Sequence, residues 1–480
     1  MSKPNTTTIP PVQQEFLAET DFKNELDHVE TVEDYTTTQP GEVQPLQQEI
    51  EALKRLSPEE YAEAHKKLVR KIDIRLLPIL FVLLVLNYLD RNALASARVQ
   101  GLEKDLHLKG DQFNQAVSIL FAGYILGQIP SNMILFFLGI TESPYFPGAL
   151  FLLSSWYTKK ELAFRTSILY TGSLLSGAFS GLISAGIQKG LNGVSGLSSW
   201  RWMFILEGAV TVAAAVFSMF ILPDYPATTK WLSMREKAIA VYRLEKDAGI
   251  RDEETMTLFQ SFKAAALDYK LYLLAIIIIT KTTAGAVTQF IPTVVATFGM
   301  SKVNTLLLTA PPYLFAAFLA LTISYTSDKK PERCFHLLTP ILFGMVGFII
   351  ATTTTKTAPR YFSLFLMIGG MFGSYNVALA WISSTFTRPR AKRAAAYATI
   401  NSLGNVAQIW SPYLYKAKTA PSYHLAFTVN TVMAAVAVVF CLVLRWCLQR
   451  ENARMDKLEQ VEGADSERAA PSQDRIRYVL

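Results

Sequence analysis

The chain has 480 residues, of which 51% are hydrophobic and 18% are charged, and its formal net charge is +7. Its charges crowd into the N-terminal region, a central stretch and the C-terminal tail. Between them lie apolar runs of about 20 residues, the length that an α-helix needs to cross a bilayer. The basic residues stand at the ends of these runs, so the charge does not indicate nucleic-acid binding. The three cysteines and five histidines lack metal-ligand or redox spacing, so we predict no cofactor, no metal and no enzyme activity.

The N-terminal region precedes the first apolar run. Residues 1–56 are largely polar and rich in Thr, Pro and Gln, which predicts a disordered cytosolic tail. A helix is predicted over 57–75, with Ser57 as N-cap, Pro58 at the first helical position and Glu60 completing a capping box. Basic residues follow directly before the apolar run, and the positive-inside rule places this end of the chain in the cytosol.

Eleven apolar segments have the length of membrane-spanning helices. They lie at 76–97, 113–136, 138–157, 166–187, 202–222, 271–292, 304–325, 335–352, 362–384, 395–415 and 424–447. A charged segment at 223–270 predicts a cytosolic central loop between an N-terminal bundle (76–222) and a C-terminal bundle (271–447), and 448–480 predicts a cytosolic tail. Two helical halves around such a loop are typical of secondary transporters. The predicted fold class is an all-α polytopic membrane protein.

Five motifs carry a resemblance to a known family. They are "NYLDRNALASARVQGLEKDL", "FNQAVSILFAGYILGQIPSN", "SWRWMFILEG", "LPDYP" and "RPRAKRAAA". From about Lys71 to Arg450 the chain resembles the fungal allantoate permease family, in the anion:cation symporter branch of the major facilitator superfamily. This resemblance implies six plus six helices around a central cavity. It also implies transport of small organic anions such as nicotinate, pantothenate, allantoate or biotin, typically together with protons.

The first half departs from that pattern. It is shorter than the second half by about 30 residues, the length of one helix and a turn. The family has a basic cytosolic turn and a third helix after "QIPSN", whereas Gly110 to Thr158 contains no lysine or arginine here. Because "SNMILFF" runs directly into "LGITESPYFPG", we expect most of the third helix and the start of the fourth to be missing.

The shortfall matters because an odd or even number of spans decides on which side of the membrane each loop lies. With eleven spans and a cytosolic N-terminus, the central loop and the later basic turns would all be extracellular, against the positive-inside rule. Either the transcript encodes about 30 more residues after Ile134, or residues 113–157 cross the membrane only once. We predict that the central loop stays cytosolic, that one helix position of the first half is empty, and that this form transports poorly or not at all.

Polar residues inside the first span are candidates for transport. Asn87, Asp90 and Arg91 stand at positions i, i+3 and i+4, so they share one helix face. A charge at the centre of a spanning helix costs about 2.5 to 3.5 kcal/mol, which favours a face turned to the bundle interior. We expect a role in proton coupling or substrate binding. The alternative is a structural ion pair or a side chain that reaches the outer surface.

A lone cation lies in the first span of the second half. Lys281, Gly285 and Thr288 stand at i, i+4 and i+7, with Gln289 beside them and Pro292 able to break the helix. A lysine that lines the cavity would hold the carboxylate of an anion. Glu142, close to two prolines in "GITESPYFPG", would carry the proton. The alternative is that Lys281 pairs structurally with an acidic residue.

Further candidates for the cavity wall come from two other spans. They are Asn401, Asn405 and Gln408 in "INSLGNVAQIWSP", and Tyr375, Asn376 and Trp381 in "FGSYNVALAW". The alternative for the amide stripe is hydrogen bonding between helices, which is common in membrane bundles.

Two other patterns predict packing and gating. Small residues recur every four positions at Gly123/Gly127, at Ser173/Gly177/Gly181 and at Gly369/Gly373, which favours close helix packing. The turn "SDKKPER" resembles the gating turn of the superfamily, so Asp328, Lys329 and Arg333 are candidates for a cytosolic gate.

Taken together, these patterns predict a proton-coupled importer of a small organic anion that works by alternating access. We expect a monomer in the plasma membrane, with the anion, protons and the lipid bilayer as its partners. Two alternatives remain open, namely a nutrient sensor that binds its ligand without net transport and an inactive product of a truncated gene model.

Overall fold

The structure is a computed structural model that describes residues 43–118, 145–248, 256–330, 332–386, 389–465 and 478–479. The regular elements of these residues are helices. The α-helices are α1 (Val43–Lys54), α2 (Pro58–Gln100), α3 (Leu102–Asp105), α4 (Tyr145–Trp156), α5 (Lys159–Gly190), α6 (Ser199–Ile221), α7 (Met234–Ala248), α8 (Leu258–Ala266), α9 (Tyr269–Gly285), α10 (Ile291–Ala296), α11 (Lys302–Leu307), α12 (Ala310–Lys329), α13 (Cys334–Thr353), α14 (Thr357–Gly373), α15 (Tyr375–Thr385), α16 (Arg390–Trp410) and α17 (His424–Asp465). Short 3₁₀ helices lie at Val194–Gly196, Ala286–Phe290, Ser411–Leu414 and Ala417–Thr419.

Eight segments of the described chain are long and apolar enough to cross a membrane. They are Pro58–Gln100, Arg165–Gly190, Ser199–Ile221, Tyr269–Ala296, Lys302–Ser327, Cys334–Thr353, Thr357–Thr385 and His424–Lys457. The prediction of an all-α polytopic protein is therefore confirmed. The predicted span 395–415 forms α16, which is not among the eight because basic residues occupy its start and amides its later turns. The predicted span 113–136 and the start of 138–157 lie mostly outside the described residues, as does the predicted site of the missing helix.

The N-terminal helix begins as predicted. The backbone N–H of Ser57 donates to Glu60 Oε2 at 3.1 Å, and the backbone N–H of Glu60 donates to Ser57 Oγ at 3.3 Å. This capping box starts α2, which then continues without interruption to Gln100. The predicted lead-in helix over 57–75 and the first span are thus one helix.

The prediction of a disordered tail over 1–56 is wrong for its last part. Val43–Lys54 forms α1, in which Leu46 and Leu53 are buried. These leucines stand seven residues apart, two turns of a helix, so one apolar stripe packs against α7. An overall polar composition concealed this short amphipathic pattern.

The chain divides into two compact units. The first comprises Met1–Pro78, Phe151–Leu162 and Ile221–Arg251, and the second comprises Ile79–Leu150, Ala163–Phe220 and Asp252–Leu480. The predicted central loop contributes α7 to the first unit and α8 to the second, so much of this loop is helical.

In the first unit, a buried carboxylate at the start of α5 connects three helices. Glu161 lies 3.3 Å from His65 Nε2 on α2 and 3.1 Å from Arg243 Nη1 on α7, and it accepts a hydrogen bond from the N–H of Thr158 at 3.1 Å. Burial alone would raise the pKa of Glu161. The hydrogen bond from His65 and the charge of Arg243 outweigh burial and lower this pKa to about 2.

Replacing Glu161 by glutamine should lower the thermal unfolding temperature in detergent at pH 7, and the loss should shrink in acid. A carboxyl group whose pKa falls on folding from 4.5 to about 2 stabilises the fold above pH 4.5 and loses this contribution between pH 4.5 and 2. Glu63→Gln is the control, because Glu63 pairs with Lys67 on the surface and is 70% exposed. A Glu161→Gln deficit as large at pH 3 as at pH 7 would contradict this assignment.

In the second unit, α5 meets α2 through a ladder of hydrogen bonds with one rung per turn. The rungs are Asn92 Nδ2 to Ser176 Oγ at 3.2 Å, Ser96 Oγ with Ser180 Oγ at 3.3 Å, and Gln100 Nε2 to the backbone oxygen of Ser184 at 3.1 Å. Both helices advance by four residues at each rung, so the polar groups of the two faces stay aligned.

The neighbouring face of α5 consists of small residues. A Cβ atom on Gly177 would lie 2.6 Å from the Tyr313 ring, and one on Gly181 would lie 2.8 Å from the backbone oxygen of Leu306. The predicted packing role is confirmed for these two glycines and for Gly369, where a Cβ would lie 3.0 Å from Phe315. Gly123 and Gly127 lie outside the described residues.

Gly181→Ala should destabilise the protein, because the added methyl group meets a backbone oxygen that moves only with its helix. We expect a loss of about 1 to 3 kcal/mol, measured by thermal or denaturant unfolding in detergent. Gly186→Ala is the matched control on the same helix, since a Cβ there meets nothing within 4 Å. Equal stability of the two variants would show that α5 and α11 separate at no cost.

Candidate functional site

A cavity of about 130 Å³ lies within the second unit, among helices of both predicted bundles. It is lined by Tyr88, Arg91, Asn92, Tyr170, Ser173, Leu174, Lys281, Thr282, Gly285, Thr288, Gln289, Tyr313, Met371, Phe372, Tyr375, Asn405 and Gln408. Six of the residues predicted from the sequence are among them, namely Arg91, Lys281, Gln289, Tyr375, Asn405 and Gln408.

The polar face of α2 is rotated by one residue from the predicted face. Tyr88, Arg91 and Asn92 line the cavity at positions i, i+3 and i+4, whereas Asn87 and Asp90 are not among the lining residues. One residue corresponds to a rotation of about 100° on a helix, so both sets obey the same spacing and share only the arginine. The guanidinium of Arg91 stands 4.8 Å from the Tyr88 ring.

Lys281 on α9 is 2% exposed and lines the cavity. Its Nζ donates to the backbone oxygen of Met371 and lies 4.9 Å from the centre of the Tyr375 ring. Met371 belongs to the last turn of α14, where carbonyl groups lack partners within the helix. The lysine therefore satisfies a helix end while its charge stays at the cavity wall.

An interrupted helix, formed by α9 and α10, also reaches the cavity. Helix α9 ends at Gly285, and a 3₁₀ segment leads into α10, where Pro292 has no N–H to donate to the carbonyl of Thr288. The N–H of Ile291 donates to that carbonyl instead, and Tyr313 Oη on α12 donates a second hydrogen bond to it at 3.1 Å. The helix is thus interrupted just before Pro292, at Ala286–Phe290.

Aromatic rings complete the wall. Tyr170 on α5 stacks on Tyr375 on α15 with ring centres 5.0 Å apart and an angle of 13° between the planes. Since α5 belongs to the first predicted bundle and α15 to the second, this pair joins the two bundles at the cavity.

The charge of the cavity has one sign. Arg91 and Lys281 are its charged residues, and no acidic side chain is found among the described residues that line it. Two cations in a confined site favour a ligand with negative charge.

The remaining candidates lie elsewhere. Asn376 and Asn401 are partly buried and are not among the lining residues. Trp381 is fully buried and donates from Nε1 to the backbone oxygen of Val479 at 3.2 Å. Next to it, the backbone of Tyr478 exchanges two hydrogen bonds with the side-chain amide of Asn452, at 2.9 and 3.0 Å. Trp381 thus holds the C-terminal segment and not the cavity wall. Glu142 lies outside the described residues.

The predicted gating turn makes a clasp through Glu332. Arg333 donates to Ser327 Oγ at 2.9 Å and Lys329 is exposed, while the side chain of Asp328 lies outside the described residues. Glu332 pairs with Arg445 on α17 at 3.0 Å and with His336 at 2.8 Å. Glu332 lies in the same turn and was not predicted, and the role of Asp328 stays a prediction.

Several cavity residues were not predicted. Tyr88 and Asn92 could have been found from Arg91 by helical spacing alone. Ser173 was assigned to packing, and Tyr170 and Tyr313 have no charged residue within four positions in sequence to mark them. Glu207 on α6 was also missed, although it is a lone carboxyl group inside an apolar span.

Known proteins resemble the chain over most of its length. The profile described as Major Facilitator Superfamily matches residues 133–412. The chain is 31% identical to the MFS-type transporter cnsO of Penicillium expansum, with 83% of this chain and 86% of the relative covered. It is 28% identical to the major facilitator-type transporter hxnP of Emericella nidulans, with 82% and 88% covered.

Internal length differs between these relatives and the chain. The alignment with the Penicillium protein runs over 453 positions, although it spans only 83% of the 480 residues here. The relative therefore carries internal residues that this chain lacks.

Solved structures share the fold. One is a bacterial homologue of the human lysosomal transporter Spinster, inward-facing and unoccupied, with a TM-score of 0.56, 15% identity, and 77% of this chain and 94% of that chain covered. Another is the proton:xylose symporter XylE bound to 6-bromo-6-deoxy-D-glucose, with a TM-score of 0.55, 14% identity, and 76% and 95% covered. Together with the match of the superfamily profile to more than half of the chain, these findings show that the protein belongs to the major facilitator superfamily and is a multi-pass membrane transporter, not an enzyme.

Proposed function

We propose that this transporter imports a small organic anion by proton symport and alternating access, as a monomer in the plasma membrane. The observation that carries the proposal is the charge of the cavity, where Arg91 and Lys281 line the wall without an acidic residue among the described lining. A ligand with negative charge is attracted by both cations, whereas a cationic ligand is repelled by them.

The ligand class follows from size and chemistry. A cavity of about 130 Å³ is smaller than the roughly 300 to 1,000 Å³ of pockets for drug-sized ligands, which favours a small ligand. An arginine binds a carboxylate through two parallel hydrogen bonds, and a lysine adds a compact charge. The amides of Gln289, Asn405 and Gln408 can donate to or accept from further polar groups of the ligand. Nicotinate, pantothenate and allantoate meet these requirements, and the resemblance to the fungal allantoate permease family supports the same class.

The interrupted helices support an alternating-access mechanism. Binding sites of secondary transporters commonly form where helices are discontinuous, because exposed backbone groups are then available to the ligand. Both α9/α10 and α14/α15 are interrupted beside the cavity. The contact between α5 and α12 joins the two bundles, so it must change when the cavity opens to the other side of the membrane.

Lys281→Ala should weaken anion binding far more than Lys281→Arg, because the variant loses a charge that faces the carboxylate. Removing one charge-assisted contact costs about 1.5 to 3 kcal/mol, or roughly ten- to a hundredfold in Kd. The measurement is binding of radiolabelled nicotinate, pantothenate and allantoate to purified protein. Lys329→Ala is the control, since that lysine is exposed.

The same variants need a second readout because Lys281 also bonds to Met371. Their thermal unfolding temperature separates a structural loss from a binding loss. If Lys281→Ala lowers the unfolding temperature and binds the anion with native affinity, the lysine serves the fold alone and the anion site must be sought elsewhere.

Uptake of the anion should collapse when a protonophore is added and should rise as the external pH falls. This is expected because an anion that enters with a proton is driven by the proton gradient. The assay is radiolabel uptake in yeast that lack their own permease, with the membrane potential clamped. Continued concentration of the anion without a proton gradient would contradict symport.

Two alternative functions concern the same cavity. A nutrient sensor would bind the anion without accumulating it, and an inactive truncated product would do neither well. The internal residues present in the Penicillium relative and absent here support the second alternative for the 480-residue form. Transcript sequencing across Asn132 to Phe137, and uptake by the short form beside any longer form, test both alternatives.

A further inference from the structure

Two residues of the predicted cytosolic tail, Tyr478 and Val479, are docked against the second half of the chain, and we call them the docked segment. The backbone N–H of Tyr478 donates to Asn452 Oδ1 at 2.9 Å, and Asn452 Nδ2 donates to the backbone oxygen of Tyr478 at 3.0 Å. One side-chain amide thus satisfies both backbone groups of one residue, as a residue of a neighbouring strand would. Asn452 therefore binds the peptide backbone of the docked segment.

The side chain of Tyr478 contacts a buried cation. Its ring centre lies 5.0 Å from Lys270 Nζ, which also donates to Tyr478 Oη at 3.4 Å. Lys270 is 7% exposed and is paired with Glu451 at 3.1 Å and with Asp268 at 3.5 Å. Because two carboxylates from different elements hold the ammonium group, it has a fixed position, and an aromatic ring with a hydroxyl acceptor fits beside it.

The third contact comes from α15. Trp381 is fully buried, and its Nε1 donates to the backbone oxygen of Val479 at 3.2 Å. Without the docked segment this N–H would have no acceptor among the described residues, and a buried donor without a partner is unfavourable. The docked segment therefore joins three helices, through Lys270 on α9, Trp381 on α15 and Asn452 on α17.

Helix α15 connects these contacts to the cavity. Its first residue, Tyr375, lines the cavity and stacks on Tyr170 with ring centres 5.0 Å apart. Trp381 follows about 9 Å further along the helix axis. At Ser374, φ of −103° and ψ of 5° separate α15 from α14, so no continuous helical backbone holds the two in line. The tyrosine stack thus holds the start of α15, and the docked segment holds it about two turns later.

We propose that Lys270, Trp381 and Asn452 form an intramolecular binding site for the docked segment, and that occupation of this site keeps α15, and with it Tyr375, in place at the cavity wall. When the segment leaves, Trp381 loses its acceptor and α15 is free to shift about the interruption at Ser374. The docking itself does not depend on the proposed function, whereas its effect on anion binding rests on that function.

Hydrogen exchange of the 480-residue protein in detergent tests the docking without any ligand. Asn452→Ala removes two hydrogen bonds, and Trp381→Phe keeps an aromatic ring but removes the donor. In both variants, peptides from α15 should exchange roughly five- to tenfold faster than in the native protein, because each variant loses contacts that close this region. Gln449→Ala is the matched control, since Gln449 is an exposed amide on the same helix as Asn452. Equal exchange of α15 in the native protein and both variants would overturn the docking.

A rescue in trans covers the case in which a variant does not fold. Protein that lacks residues 478–480 should show the same fast exchange in α15, and a synthetic peptide with the sequence of residues 473–480 should restore slow exchange. The same peptide with Tyr478→Ala should restore it less, because it lacks the ring that contacts Lys270. Unchanged exchange after the deletion, or equal behaviour of the two peptides, would overturn the proposal.

Anion binding then tests the connection to the cavity. Purified native protein and Asn452→Ala are compared in binding of radiolabelled nicotinate, pantothenate and allantoate. We expect the Kd of the variant to rise roughly five- to tenfold, because binding must then also order α15 and Tyr375. An unchanged Kd in a variant with fast exchange would overturn the connection to the cavity. Failure of the native protein to bind any of the three anions would overturn the proposed function instead, while the exchange experiment would still decide the docking.

Discussion

A backbone carbonyl inside a bilayer has no water to accept from, so each interruption of a spanning helix must be matched by a donor from another element. Pro292 has no N–H for the carbonyl of Thr288, which accepts from the N–H of Ile291 and from Tyr313 Oη instead. Lys281 Nζ donates to the carbonyl of Met371 at the end of α14. Both side-chain donors lie at the cavity wall. The contacts that permit irregular backbone at this depth therefore also give the cavity its shape and one of its two charges.

Helix α5 shows how one sequence serves two packing surfaces. Its serines form hydrogen bonds with α2, while Gly177 and Gly181 allow close approach of Tyr313 and the backbone near Leu306. The two stripes are adjacent, since Ser176 and Gly177 are neighbours in sequence. Hydrogen bonds hold α5 against α2, whereas close packing at the glycines and the stacking of Tyr170 on Tyr375 hold it against the second bundle.

Much of this architecture could be predicted from the sequence, because apolar length and charge placement determine which segments cross a membrane. Arg91 and Lys281 were found since a cation in an apolar run has few tolerable positions. The predicted cavity-facing side of α2 is displaced by one residue. The spacing of polar residues shows which of them share a helix face, but it does not show which face points to the cavity. Trp381 was predicted to line the cavity and does not. A tryptophan ring with one N–H donor fits a buried packing site as well as a cavity wall, so the sequence does not distinguish the two.

The ladder between α2 and α5 has equal steps, and this has a mechanical consequence. Because every rung is four residues from the next on both helices, a slide of about 6 Å along the common axis would bring Asn92 opposite Ser180 and Ser96 opposite Ser184. Two of three rungs would then find partners of the same chemistry. The ladder therefore determines which faces of α2 and α5 meet more strictly than it determines the position of one helix along the other.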